Sequence, residues 1–259
     1  INYKGGPGPG PSSGPYTYIT TDEFIVDDES SIISDGVVNF STYTPGKEIH
    51  FASPGASGSA GGLVLDPKIF SGEGLLKNPI GPDGKPLRYQ NIIIGDATSG
   101  NIDPSGLTVA KGLTDAVTLK SRGSVGGTGA ITGVDKLNIE AGSVNLTNEN
   151  NKIGSIGTAK TTNGFTLTTA GGVTLDGPIE AGGPVNITNK TSGNVTIGEQ
   201  GKISTTNNSP VYITAENGNL KNKSTDPNPI ATPGSNFAIS TKDSVGNDEG
   251  TLNLHIDFH

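Results

Sequence analysis

Cysteine, methionine and tryptophan are absent from the 259-residue chain. Without cysteine there is no disulfide, no thiolate nucleophile and no cysteine-ligated metal. Without methionine the chain lacks even an initiator residue, so it is expected to be a processed product or an excised segment. Cations are scarce too. Lys and Arg number 17 against 25 Asp and Glu, giving a formal charge of −8 and a pI near 4.8. Arginine occurs only at 88 and 122, and neither position lies in a basic run. Nucleic acid and anionic membranes both require clustered Lys and Arg, so neither is expected as a partner. No run approaches the ~20 apolar residues of a membrane span, and no signal peptide is seen, so membrane insertion is not expected of this form.

Bulky side chains are also in short supply. The apolar fraction is 31%, whereas glycine alone contributes 40 residues. Glycine has replaced large side chains, so a broad globular core cannot be filled. A narrow core built from many short layers can.

Residues 1–15, "INYKGGPGPGPSSGP", read as a flexible Gly/Pro-rich arm, because this composition supports neither a helix nor a central strand. Residues 16–90 read as an aromatic-rich β region, with Tyr16, Tyr18, Phe24, Phe40, Tyr43, Phe51, Phe70 and Tyr89. Alternation in "YTYI" and "VVNFS" predicts strands there, and "NPIGPDGKP" predicts a loop. From residue 91 to 224 short alternating segments follow one another: "NIIIG", "AVTLK", "LNIEAG", "SVNLTN", "VTLDG", "VNITN", "VTIG" and "VYITAENG". "GLTDAVTLKSRG" could form one helical turn. Residues 225–259 form a C-terminal strand region.

These segments are β-branched, three to five residues long, and bounded by Gly, Asn, Asp or Thr. They are too short to cross a sandwich. The fold they predict is an all-β parallel solenoid, with three short strands per coil of about 20–30 residues. Coils then stack at the strand spacing of about 4.8 Å. In each triplet the flanking apolar residues turn inward and the middle residue faces solvent. Val173, Leu175, Val185, Ile187, Val195, Ile197, Val211 and Ile213 are thus the expected solenoid core, and Asn186 an expected outward residue.

"SAGGLVLDPKIFSG" at 59–72, the run from "YQNIIIGDATSG" to "EAGSVNLT", and "GGVTLDGPIEAGGPVNITNKTSGNVTIG" carry a further signal. In texture and phrase order, residues 50–222 resemble the repeat region of filamentous-haemagglutinin-like large exoproteins. That resemblance implies a right-handed parallel β-helix at a bacterial surface, exported, and used for adhesion or as a stalk.

Some β-helices cleave polysaccharides, so catalysis was weighed. Glycoside hydrolysis needs two carboxylates about 5–9 Å apart. Asp176 with Glu180, or Asp135 with Glu140, supply the residue types; the plainer reading makes them solvated turn residues. The acidic run Asp22, Glu23, Asp27, Asp28 and Glu29 could collect calcium through its oxygens, and is more simply a solvated face. "GGTGAITG" at 126–133 lacks the Asp of the calcium nonapeptide. His50, His255 and His259 are too few for a zinc site. In "GPGPG", at 6–10, proline removes the N–H donors that a phosphate needs. Sequons at Asn145, Asn186 and Asn194 fit chance in an Asn/Thr-rich repeat.

The expectation is therefore a non-enzymatic extracellular protein without cofactor or metal. Its leading form is a subunit that joins identical subunits head-to-tail into a surface filament. The alternative is a segment of a secreted adhesin or stalk meeting a cell-surface carbohydrate or protein receptor. A polysaccharide-acting enzyme comes last. The head-to-tail contact is assigned to Leu252, Leu254, Ile256 and Phe258, which alternate with Asn253, His255, Asp257 and His259. Such a strand either completes its own domain or adds to a sheet edge of the next subunit.

Overall fold

A computed structural model describes residues 15–27, 29–52, 61–206, 209–231 and 237–241. Two long sheets of parallel strands run the length of the molecule, one with 12 strands and one with 9. The chain alternates between them, so each circuit lays a new strand beside the previous one on each sheet. This is a β-solenoid of about 9 turns. The helical content of the described residues is a single 3₁₀ turn, Pro67–Phe70. The segment that could have formed a helical turn holds a strand instead, Val117–Lys120, because Val117 and Leu119 pack inward between Ile92/Ile94 and Leu137/Ile139.

Inward residues form continuous ladders. On the first sheet one ladder runs Ile19, Phe40, Ile94, Leu119, Ile139, Ala159, Ile179, Ile203 and Ile230. A second runs Val38, Ile92, Val117, Leu137, Ile156, Leu175 and Ile197. On the second sheet Val144, Phe165, Val185 and Val211 align, as do Leu146, Leu167, Ile187 and Ile213. Each coil thus removes the same apolar wall from water, worth about 25 cal/mol per Å² buried.

The spacing between the two ladders of the first sheet changes along the chain. Ile92 and Ile94 are two residues apart on one strand, as are Leu137 and Ile139. In the next coil the equivalents are Ile156 and Ala159, where the register shifts within Ile153–Thr161. In the following coil they are Leu175 and Ile179, now on separate strands, Val173–Leu175 and Pro178–Ala181. Extra residues between the ladders thus divide one strand into two.

The amino-terminal end is closed. Leu63–Leu65 pairs beyond Ile49–Phe51 at the margin of the second sheet. The chain then enters the 3₁₀ turn, whose first turn is capped by the Asp66 carboxylate accepting from Lys68 N–H at 2.9 Å. This turn places Phe70, fully buried, against Phe40 and Phe51 at ring distances of 6.0 and 5.7 Å. Phe24 covers Phe40 edge-on at 5.7 Å. The aromatics of the amino-terminal region therefore plug the solenoid core. Tyr89, also buried, donates its hydroxyl to the Ile32 carbonyl at 2.5 Å, and burial pushes that phenol up to about 12.

Buried polar side chains sit at the corners and bond to backbone. Asn151 donates to the carbonyls of Leu146 and Thr168 and accepts from Ile131 N–H. Asn189 donates to the Gly193 carbonyl at 2.7 Å. At the corner after Asn91–Gly95, Asp96 accepts from the N–H groups of Thr98 and Ser99 at 2.7 and 2.8 Å. Burial pushes its carboxyl up, but the Thr98 and Ser99 donors outweigh this and hold it below its ordinary value. A depressed carboxylate contributes stability above the unfolded-state value, and that contribution disappears as pH falls through the native one. Asp96→Asn should therefore cost about 1 kcal/mol at neutral pH. In thermal melts across pH, the gap from wild type should close below about pH 4. A gap that persists unchanged at lower pH would show that the charge of Asp96 plays no part.

Candidate functional surface

The predicted core residues Val173, Leu175, Val185, Ile187, Val195, Ile197, Val211 and Ile213 all lie inside, each at most 2% exposed. The predicted contact residues Leu252, Leu254, Ile256 and Phe258 lie outside the described residues, as do His255, His259 and the 6–10 segment.

The carboxylates weighed for catalysis are not brought together as pairs. Asp135 accepts from Arg88 Nη2 at 2.8 Å, and the same guanidinium reaches Asp115 at 3.3 Å. Glu140 meets Lys120 Nζ at 2.8 Å. Asp176 lies beside Gly198 at a corner, whereas Glu180 points outward from the next wall.

These contacts belong to a column that the sequence reading missed. Lys120, Glu140, Lys160 and Glu180 occupy successive coils in register on the outside of the first sheet. Opposite signs alternate along the solenoid axis. Lys202 with Asp226, at 2.9 Å, repeats the arrangement on a later coil, and Lys190 with Glu216, at 2.5 Å, does so on the second sheet. Glu216 holds the Lys190 ammonium above its ordinary value, and Lys202 holds Asp226 below its own. Each exposed pair adds little stability alone. Their joint effect is to penalise a slip in register, which would separate the opposite charges. A neutral ladder runs next to it: Thr118 Oγ1 accepts from Asn91 at 2.9 Å and from Asn138 at 3.4 Å, and Asn138 Oδ1 accepts from Thr158 N–H.

The acidic amino-terminal run is consumed locally. Asp22 accepts from Thr44 N–H at 2.9 Å and from its hydroxyl, and Asp27 accepts from Ser30 in the same way. These bonds lower both carboxyls below the ordinary range. His50 Nε2 lies 3.1 Å from Glu48. Among the described residues no three His, Asp or Glu side chains converge as a metal site would require.

The outer face of the second sheet differs from all of this. From Gly126 onward its outward column is Asn145, Thr166, Asn186 and Tyr212, and beside it Thr188 faces Thr214. None of these positions carries a charge; the Lys190–Glu216 pair lies two residues further along the same two strands. The sequon residues Asn145 and Asn186 are on this face; Asn194 is at a corner and accepts from Asn219 N–H.

Compared with known proteins, the chain matches no protein-family model, no curated protein and no solved structure. No helix among the described residues is long and apolar enough to cross a membrane.

Proposed function

We propose that this chain is a non-enzymatic structural module of the cell exterior, a short rod that gives reach and display at a bacterial surface. The observation that carries the reading is the use made of the side chains. Inward residues form unbroken ladders, and the outward charged residues of the first sheet tie coil to coil. The resemblance to filamentous-haemagglutinin-like exoproteins and the lack of cysteine support an exported location. Head-to-tail filament assembly is the second reading. It is favoured by the strand Tyr16–Thr20, which among the described residues pairs on one side only and shows Tyr18 64% exposed. The aromatic plug at that end weighs against it, because a sealed core does not continue into another copy.

Negative-stain electron microscopy of the purified chain separates the two readings. Nine strands at about 4.8 Å make a rod of roughly 40 Å. Single rods of that length support the display module, and long unbranched fibres support the filament. Release of reducing ends from a polysaccharide panel, abolished by a single Asp→Asn change, would sink both.

A further inference from the structure

The geometry points to the Asn/Thr/Tyr column on the outer face of the second sheet as a binding platform for an extended neutral polysaccharide. Asn145, Thr166, Asn186, Thr188, Tyr212 and Thr214 are exposed or half-exposed there. None of their side chains has a hydrogen-bond partner among the described residues. On the first sheet the reverse holds. Lys120, Glu140, Asn91, Thr118 and Asn138 spend their polar atoms on neighbouring coils. So these residues of the first wall are satisfied by neighbouring coils, whereas the Asn/Thr/Tyr column of the second keeps its donors and acceptors for something else.

The chemistry of that wall narrows the partner. Hydroxyls and carboxamides both donate and accept, which matches a polyhydroxylated ligand in either sense. Covering the column desolvates no unpaired charge, because Lys190 and Glu216 at its margin already bind each other, so the cost is that of neutral groups that regain their bonds. A chain with formal charge −8 repels an anionic glycan, and Lys190, the cation at the margin of this column, is already paired with Glu216. A second protein copy fits poorly, because interface cores are built from apolar and aromatic groups and this face has only the Tyr212 ring. That ring, 41% exposed, presents an apolar surface to the C–H face of a sugar. Thr188 and Thr214 stand opposite in register, as do Asn186 and Tyr212, so rows repeat at about 4.8 Å along the axis. A polymer of regular repeat lying along the axis meets the same groups coil after coil, and weak contacts add through multivalency. The platform binds and does not cut, so it rests on the non-enzymatic reading only in that respect.

The test is retention of the full chain on cellulose, chitin and mannan, with heparin as the anionic comparison. Wild type should be retained on at least one neutral polymer and not on heparin. Retention should be unchanged between low and high salt, since no ion pair forms. The double variant Asn186→Ala/Tyr212→Ala should lose about tenfold or more in affinity. Glu140→Gln, on the other wall, should bind as wild type. Circular dichroism and melting confirm that each variant is folded. Failure to bind any neutral polymer, salt-sensitive binding to heparin alone, or undiminished binding by the double variant would overturn the inference. Release of reducing ends by a chain that still binds would overturn the non-enzymatic reading and leave the platform standing.

Discussion

Replacing Val195 with Asp should destabilise the protein by about 4 kcal/mol. Val195 is fully buried and lies in register between Val173 on one coil and Leu220 on the next. A carboxylate there has only apolar neighbours on both sides, and an unpaired buried charge costs several kcal/mol. A domain of this kind has about 5–15 kcal/mol in all, so the loss is a large share. Melting should fall by about 10 °C. Burial disfavours the charged form, so the native-state pKa of the new carboxyl is raised. The deficit should therefore grow as pH rises from about 4 and shrink as pH falls. Val195→Thr keeps the shape and adds one hydroxyl, at about 1–3 kcal/mol. Thr196→Asp, one residue on and outward, should change little. If Val195→Asp melted with wild type, the inward assignment of the whole ladder would be wrong.

The inward ladders were legible because one short pattern recurs. "VNI" at 185–187 and "VTI" at 195–197 each place two apolar residues around a polar one, and both became wall segments. The alternating charges were equally legible and went unread. Lys120, Glu140, Lys160 and Glu180 recur at a constant interval with alternating sign, which is the coil length written in the numbering. Pairing Asp135 with Glu140 by nearness in sequence missed this, because in a solenoid the neighbour in space is one coil away.

Other features had no local signal. The aromatic plug depends on Leu63–Leu65 turning back to the margin of the second sheet, so that Phe70 reaches Phe40, 30 positions earlier. Nothing near Phe70 in sequence announces that partner. Phe24, Phe40, Phe51 and Phe70 come together from four separate segments, which no local pattern announces. The uncharged column emerges only when register is known. Asn145, Thr166, Asn186 and Tyr212 are unremarkable singly, and only stacking sets them in one column.

Glycine at one corner should prove nearly as costly to replace as the core. Gly193 joins Val185–Ser192 to Val195–Ile197 with φ at +132°, a region closed to residues with a Cβ. A Cβ there would also run into the backbone N of Gly172 on the preceding coil, with Gly172 Cα 2.9 Å away. A Cβ on Gly218, one coil further, would strike the Gly193 carbonyl oxygen in turn. Glycines thus stack where coils approach most closely, and the Gly193 carbonyl anchors buried Asn189. Backbone strain of about 1–3 kcal/mol and overpacking of similar size act together in Gly193→Ala. The expected loss is about 3 kcal/mol by denaturant unfolding. Gly171→Ala separates the two causes. Gly171 also has a left-handed φ, +94°, but a Cβ there meets nothing within 4 Å. It should lose only the strain, about 1 kcal/mol. Equal losses at the two positions would mean that backbone conformation alone is at stake and that coil-to-coil contact at Gly193 contributes nothing.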